Sequence, residues 1–140
     1  MASCIFCEIV ANRQPASFVY RDELCAAFMD IQPVTRGHLL VIPNRHAAFL
    51  VELDPRVGGH LFAVAQRLAQ ALRESEVRCE GINLFLADGT VAGQEVFHVH
   101  LHVIPRHRGD GFGLRFPPDY GRRPPRHELD AVAESIRAAL

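Results

Sequence analysis

Three histidines alternate with apolar residues between Phe97 and Val103, in the order Phe-His-Val-His-Leu-His-Val. Successive side chains of a β-strand point to opposite faces, so the pattern predicts a strand whose apolar residues face the core. His98, His100 and His102 then share the opposite face. Buried imidazoles need hydrogen-bonding partners or a ligand, so this segment is the first candidate for chemistry.

Two kinds of site fit such a face. A single metal ion bound by all three histidines is disfavoured, because the outer two α-carbons lie about 13 Å apart in a strand. Chemistry on an anion is favoured, since histidine can attack, donate a proton or hold negative charge near neutral pH. The loop Asp88–Gln94 supports it, because its two glycines let backbone N–H groups approach a phosphate. The combination favours phosphoryl or nucleotidyl transfer.

The elements that position these residues predict an α+β domain with a mainly antiparallel sheet. Apolar segments predict strands at Phe18–Arg21, Cys25–Asp30, His38–Ile42, Gly81–Ala87 and Phe97–Ile104. Apolar residues three and four apart predict one long amphipathic helix, which begins at Pro55 after an Asp54 N-cap and ends between Arg73 and Glu76.

The remaining segments complete a single predicted domain over residues 1–140. A helical turn is expected at Ile5–Val10, and residues 105–126 are rich in arginine, proline and glycine, as in a loop. A C-terminal helix is expected over residues 127–140. The sequence contains no internal repeat and no composition shift that would mark a domain boundary.

The composition excludes several function classes. All 15 basic residues are arginine, which excludes Schiff-base or P-loop lysine chemistry within this chain. A formal charge of −1 gives no basis for a broadly basic nucleic-acid surface. No apolar run approaches the roughly 18 residues of a membrane span, and the first residues lack the features of a signal peptide. We expect a cytoplasmic protein with no membrane, nucleic-acid or organic-cofactor partner.

Cys4 and Cys7 form a Cys-x-x-Cys pair that allows three interpretations. A redox dithiol usually opens a helix after a strand in a thioredoxin-like pattern, which this sequence lacks. Two unrelated buried thiols are the second interpretation. A structural zinc site is the third, and it needs four ligands, for which two cysteines and two histidines are a standard set.

The segment Gly93–Arg106 resembles the His-φ-His-φ-His-φ-φ motif of the histidine-triad (HIT) superfamily, where φ is an apolar residue. Cys4–Ile9, Phe28–Ile31 and Gly37–Pro43 are similar, in the same order, to the family's N-terminal segment, its nucleoside-binding strand and the strand that follows. The resemblance covers most of the chain and implies a HIT-like fold. It also implies a nucleotide hydrolase of the bacterial or Hint type, because His102 stands where uridylyl transferases carry glutamine.

The resemblance implies roles for individual residues. His100 is expected to be the nucleophile that forms a nucleotidyl-histidine intermediate, with His102 and Gln94 at the phosphate oxygens and leaving group. His38 is expected to pack against the three histidines, and Asp30 to bind the ribose. The other implied contacts are Phe6, Ile9, Phe28, Ile31 and Leu40 at the base, and Gly93, Gln94 and Glu95 at the phosphates. Members that bind zinc imply Cys4, Cys7, His46 and His98 as its ligands.

Two positions depart from the family pattern. Glu95 replaces a serine or threonine and Ala87 replaces an amide residue, and both lie on the leaving-group side. A carboxylate repels a phosphate unless it is protonated, turned away or bridged by a cation. One candidate function is hydrolysis at the α-phosphate of a dinucleoside polyphosphate or nucleoside phosphoramidate. The alternative is a nucleotide-binding scaffold with vestigial catalysis. The resemblance also implies a homodimer, with the long helix contributing to the interface.

Overall fold

The computed structural model describes residues 3–140 and has the predicted α+β architecture. One antiparallel five-stranded sheet has the strand order β1-β2-β3-β5-β4. The strands are β1 Phe18–Arg21, β2 Cys25–Met29, β3 Leu39–Pro43, β4 Gly81–Leu86 and β5 Leu101–Arg106. The helices are α1 Ile5–Val10, α2 Pro55–Glu74 and α3 Arg126–Arg137, with short 3-10 turns at Leu50–Glu52 and Thr90–Ala92.

Helix α2 covers one face of the sheet, with its bounds and its buried side as the apolar spacing predicts. The Asp54 carboxylate caps it by accepting the Arg56 amide at 2.9 Å. The helix residues buried against the sheet are Leu61, Val64, Ala65, Leu68 and Leu72. Each fully buried leucine or valine contributes roughly 1.5–3 kcal/mol, so this face forms the main core.

The opposite face of the sheet carries a second apolar cluster beside the histidines. Its buried members are Phe6, Ile9, Ala26, Phe28, Leu40 and Ile42. Helix α1 has only six residues, and so short a helix is unstable in isolation. Its position therefore depends on the burial of Phe6 and Ile9, on Cys4 just before the helix and on Cys7 within it.

Strand β5 begins four residues later than predicted. The sequence predicts a strand over Phe97–Ile104, whereas ladder pairing is confined to Leu101–Arg106. The ladder pairings of β5 with both neighbouring strands end opposite Leu101, although β3 itself continues to Pro43 in pairing with β2. The backbone before Leu101 is held in another way, because the Val99 amide donates to the Ala47 carbonyl at 2.7 Å.

The predicted bounds of α1 and β1 are confirmed, and the remaining boundaries differ from the predictions by one to three residues. Strand β2 ends at Met29, β3 spans Leu39–Pro43, β4 ends at Leu86, and the first two residues of the predicted 105–126 loop belong to β5. Helix α3 has an apolar side formed by Leu129, Val132 and Ile136, and all three side chains are exposed. Within residues 3–140, no helix combines the length and hydrophobicity that crossing a membrane requires.

Candidate active site and metal centre

A row of five side chains crosses the sheet on the face opposite α2. The pairing register places Phe18, Phe28, Leu40, His102 and Phe85 opposite one another on successive strands. Directly paired residues of antiparallel strands share a face. His102 therefore has the apolar cluster of Phe28 and Leu40 on one side and the Phe85 ring, 5.6 Å away between centroids, on the other.

His100 is held in the tautomer that a nucleophile requires. Its Nδ1 atom lies 2.7 Å from the carbonyl oxygen of His98. A carbonyl oxygen only accepts hydrogen bonds, so Nδ1 carries the proton of the neutral ring and Nε2 keeps its lone pair. The residue is 6% exposed. The Phe6 ring lies nearly perpendicular to the imidazole, 5.2 Å away between centroids, which restrains its orientation.

A chain of hydrogen bonds fixes the protons of His38 and His102. The Val34 amide donates to Nδ1 of His38 at 3.2 Å, so the neutral His38 ring carries its proton on Nε2. That Nε2 atom lies 2.8 Å from Nδ1 of His102 and donates to it. His102 consequently carries its own proton on Nε2, as a hydrogen-bond donor.

Both of these rings are neutral at pH 7. Burial lowers the pKa of His38, although the nearby Asp30 carboxylate opposes this. Burial, with a smaller effect from His100 and His38, lowers the pKa of His102 to about 4. Below neutral pH, therefore, protonation of His102 is opposed until the solution is strongly acidic.

Asp30 lies on the other side of His38. Its Oδ2 atom is 3.5 Å from Nε2 of His38, and its Oδ1 atom accepts the Gln32 amide at 2.8 Å. Asp30, His38 and His102 lie close enough together to suggest a metal site. The Val34 amide argues against one, because a His38 ring that accepts at Nδ1 and binds metal at Nε2 would be an imidazolate. Asp30 keeps free lone pairs that can accept from hydroxyl groups.

The structure brings together four of the five residues predicted to contact the base. Phe6, Ile9, Phe28 and Leu40 belong to one cluster, and Phe6 and Phe28 meet edge to face with centroids 5.5 Å apart. Ile31 does not join them. It lies in the loop that follows β2 and is 93% exposed, because the chain turns away from the sheet there.

The side-chain amide of Gln94 is not free, because it forms hydrogen bonds that hold the glycine-bearing loop. The Gln94 Nε2 group donates to the carbonyls of Ala48 and Val96 at 2.7 and 3.1 Å, and its Oε1 atom accepts the Gly89 amide at 2.8 Å. Its side chain is thus engaged within the protein, and the predicted contact with phosphate stays a prediction. Gly93 has a φ of +93°, a left-handed conformation that favours glycine.

The two positions that depart from the family pattern differ in their environment. Glu95 is exposed, so its carboxylate remains hydrated, and Ala87 is buried at the end of β4. The amide side chain that the family pattern carries at position 87 would be buried here, next to the loop. Alanine places no hydrogen-bonding group there.

The four predicted metal ligands converge on one point. Nδ1 of His98 lies 3.4 Å from Sγ of Cys4 and 3.6 Å from Sγ of Cys7, and Nδ1 of His46 lies 3.4 Å from Sγ of Cys7. The two Nδ1 atoms are 3.3 Å apart. Tetrahedral zinc bonds imply edges of about 3.3 Å between two nitrogens and about 3.6 Å between nitrogen and sulfur. The donor set and its spacing therefore fit zinc.

The protonation of this cluster also suits a metal. Nε2 of His98 donates to the Pro43 carbonyl at 2.8 Å, which leaves Nδ1 free as a ligand and orients the ring. Burial lowers the pKa of His98 and so favours its neutral form. Burial, with the neighbouring Cys4, raises the pKa of Cys7 to about 11, so a bound cation must displace the proton of this thiol.

Two participants were missed by reasoning from the sequence. Phe85 lies in a segment that the sequence identifies as a strand, and the strand register would have placed it beside His102. Val34 contributes a backbone amide, for which residue type gives no signal. Its donation to His38 depends on the turn that precedes Gly37.

Comparison with known proteins agrees with this arrangement. A family model described as HIT domain matches residues 11–109. The "Protein hit" of Bacillus subtilis is 44% identical over 139 residues, which cover 99% of this chain and 94% of that protein. An adenosine 5'-monophosphoramidase of Schizosaccharomyces pombe is 34% identical over 139 residues, covering 99% and 98%. An adenylylsulfatase of Arabidopsis thaliana is 33% identical over 107 residues, covering 76% and 54%.

Solved structures agree as well. A HIT family protein from Bacillus anthracis has a TM-score of 0.88 at 39% identity, covering 98% of this chain and 96% of that one. A zinc-bound histidine triad family protein from Mycobacterium smegmatis has a TM-score of 0.77 at 42% identity, covering 99% and 98%. The chain therefore belongs to the histidine-triad (HIT) family, as the resemblance predicts, and is related to hydrolases.

Proposed function

We propose that this chain hydrolyses a nucleoside phosphate derivative at its α-phosphate through a nucleotidyl-His100 intermediate. The observation that carries the proposal is the pair of opposite tautomers, a free Nε2 lone pair on His100 and an Nε2–H donor on the adjacent His102. Their ring centroids are 4.9 Å apart. The relatives named an adenylylsulfatase and an adenosine 5'-monophosphoramidase support the same class of reaction.

The reaction proceeds in two displacements. Nε2 of His100 attacks the α-phosphorus, and the bond from phosphorus to the leaving group breaks with its electron pair going to the leaving group. Water then attacks the same phosphorus, the P–N bond breaks, its electron pair returns to Nε2, and a water proton passes to solvent. Each step is easier than one direct displacement. Asp30 would accept the ribose hydroxyls, and the cluster around Phe6 and Phe28 would contact the base.

A structural zinc ion belongs to the same proposal. Cys4, Cys7, His46 and His98 would hold it, and the bound ion would supply a link that ties the segment before α1 to the segment before β5. Phe6 transmits this link, because its ring contacts His98 and His100 at centroid distances of 5.8 and 5.2 Å. Thiolate ligation requires reduced cysteines, which is consistent with a cytoplasmic location.

We propose in addition that two copies associate through strand β4. This strand is at the edge of the sheet, and its Leu84 and Phe85 side chains are 37% and 44% exposed on opposite faces. An uncharged edge strand of this kind readily pairs with another chain. Helix α2 contributes an exposed Phe62. Leu84→Lys is expected to convert a dimer to a monomer in sedimentation experiments, and an unchanged mass would argue against this edge.

The function is tested by comparing the wild type with His100→Ala on adenylyl sulfate, adenosine 5'-monophosphoramidate and diadenosine tetraphosphate. We expect turnover, and an adduct of nucleotidyl mass on His100 after an alkaline quench, in the wild type alone. His127→Ala is the matched control, since His127 is an exposed histidine on α3. If the wild type and both variants bind nucleotide and none of them turns it over, the scaffold alternative is supported. The engaged Gln94 amide, together with Glu95 and Ala87, gives that alternative its basis.

A further inference from the structure

We propose that Asp22, Cys25 and His60 form a second metal site, which binds zinc through three protein ligands and leaves a fourth position to water. Asp22 lies in the turn between β1 and β2, Cys25 begins β2, and His60 lies on α2. Their ligand atoms, a carboxylate oxygen, a sulfur and an imidazole nitrogen, all lie within 4.8 Å of one another. This mixture of donors is typical of zinc. The cluster shares no residue with the four ligands described above or with the histidines of the candidate active site.

The Asp22 carboxylate has one oxygen for the turn and one for the cluster. Its Oδ1 atom accepts the backbone amides of Leu24 and Cys25, both at 2.8 Å, which holds the carboxylate in place. Its Oδ2 atom accepts the Tyr20 hydroxyl at 2.7 Å and lies 2.6 Å from Nε2 of His60. Oδ2 is therefore the atom that a metal would bind, and Tyr20 would orient it, as an outer partner orients a metal-bound carboxylate.

His60 can present a lone pair to this cluster, in contrast to His38. Within residues 3–140, Nδ1 of His60 has no hydrogen-bond partner, so the neutral ring can carry its proton there and leave Nε2 as a ligand. No imidazolate is needed, whereas the Val34 amide at Nδ1 would impose one on a metal-bound His38. A tetrahedral zinc site has an edge of about 3.3 Å between oxygen and nitrogen ligands. Nε2 and Oδ2 must therefore move apart by about 0.7 Å from their hydrogen bond.

Cys25 brings the charge of the site into balance. Its side chain is fully buried, and burial, with the nearby Asp22 carboxylate, raises the pKa of its thiol to about 12. A thiolate is stable here only together with a cation. When zinc binds, the S–H bond breaks, the sulfur uses its electron pair to bind the ion, and the proton passes to solvent. One thiolate, one carboxylate and one neutral imidazole then cancel the two charges of the ion, which limits the cost of burying it.

The ion can reach the buried sulfur from the side of the other two ligands. The side chains of His60 and Asp22 are 32% and 24% exposed, so water has access to this side and to the fourth position. Asn44 adds an independent observation at the same turn. Its Nδ2 group donates to the Asp22 carbonyl at 2.8 Å, while its Oδ1 atom is buried and has no hydrogen-bond partner among the described residues. Water normally satisfies such an acceptor, which indicates that polar ligands from outside the chain enter here.

Titration of the full chain with cobalt(II), followed by competition with zinc, counts the sites and their thiolates. Thiolate ligands give cobalt(II) a charge-transfer absorption in the near ultraviolet, and its intensity rises with their number. We expect two equivalents to bind. The weaker one should add about half the intensity of the stronger, since it has one thiolate and the set of Cys4, Cys7, His46 and His98 has two. A single equivalent that needs Cys4 and Cys7, or a second one without charge-transfer absorption, would overturn the proposal.

His60→Gln assigns the weaker equivalent. Glutamine keeps an N–H donor for Asp22 but lacks the imidazole ligand, and His127→Gln on α3 is the matched control. We expect His60→Gln to weaken the second equivalent by more than about 100-fold and to leave the first unchanged. Tyr20→Phe removes only an outer partner and should weaken it by about 10- to 100-fold. Equal affinities in His60→Gln and His127→Gln would overturn the proposal.

Two cysteine variants separate this site from the other one. Cys25→Ser should remove the absorption of the second equivalent alone, with Cys79→Ser as its control. The double variant Cys4→Ser/Cys7→Ser should still bind one equivalent with the intensity of one thiolate, and a folded double variant that binds no cobalt would refute the site. Should either variant fail to fold, the wild-type titration and His60→Gln decide the question. These outcomes do not depend on nucleotide hydrolysis, so the proposed function stands or falls separately.

Discussion

Zinc binding to this chain should release one proton for each cysteine that becomes a thiolate ligand. Burial raises the pKa of Cys7 to about 11, so this thiol must lose a proton when it binds the ion. A site with two thiolates and two neutral histidines releases two thiol protons between about pH 7 and pH 8. The zinc dissociation constant should then rise about 100-fold for each unit that the pH falls, because each proton accounts for tenfold.

Replacing Cys7 with serine removes one of these protons along with one ligand. We expect the dependence to drop to about tenfold per pH unit, and zinc binding to be weaker at every pH. The assay is competition for zinc against a chelator of known affinity at several pH values. Cys79→Ser is the matched control, since the Cys79 thiol donates to the Gly81 carbonyl, away from the four ligands. Equal pH dependence in the wild type and Cys7→Ser would refute a thiolate role for Cys7.

Two further predictions concern stability. Gly37 has a φ of +97° and a Cβ there would lie 2.7 Å from Val77, so Gly37→Ala should lower the free energy of unfolding by roughly 1–3 kcal/mol. Gly59→Ala, in open space on α2, should raise it by roughly 0.5–1 kcal/mol, and urea unfolding measures both. Burial opposes ionisation of Asp22, but hydrogen bonds from Tyr20, His60 and two backbone amides outweigh it and hold the pKa of Asp22 below its usual range. Asp22 therefore stabilises the fold above about pH 4 and loses this effect as the pH falls further; an Asp22→Asn variant with the same acid unfolding curve as the wild type would contradict this.

Much of the fold is predictable from periodicity because one side of each element is buried. Helix α2 repeats its apolar residues along a single side, and β2 and β3 are apolar throughout because both of their faces are covered. The start of β5 is different. Its alternation continues back to Phe97, yet its ladder pairing with β3 and β4 begins only at Leu101, and the residues of β5 do not reveal where that pairing begins. Pairing, a non-local property, decides that boundary.

The candidate site is predictable in its members and less so in its contacts. The family resemblance implies the roles of His100 and of the four metal ligands, and the spacing of those ligands in the structure fits zinc. Residue type does not reveal that both polar atoms of the Gln94 amide bond backbone groups of the protein, nor that Ile31 is exposed and apart from the base cluster. In both cases the outcome depends on backbone groups that come close only in the folded chain.

The three histidines of the motif show why geometry has to be added to the sequence. They are one residue type at equal spacing, and each has a different fate because its partner differs. A carbonyl at Nε2 leaves Nδ1 of His98 free to bind a metal, and a carbonyl at Nδ1 leaves the Nε2 lone pair of His100 free to attack. A donor at Nδ1 makes His102 a donor through Nε2. Whether each neighbouring group donates or accepts a hydrogen bond determines which nitrogen of the histidine carries the proton. The pKa of a free imidazole does not determine this. Changing one such partner should therefore change the chemistry of a histidine while leaving that histidine in place.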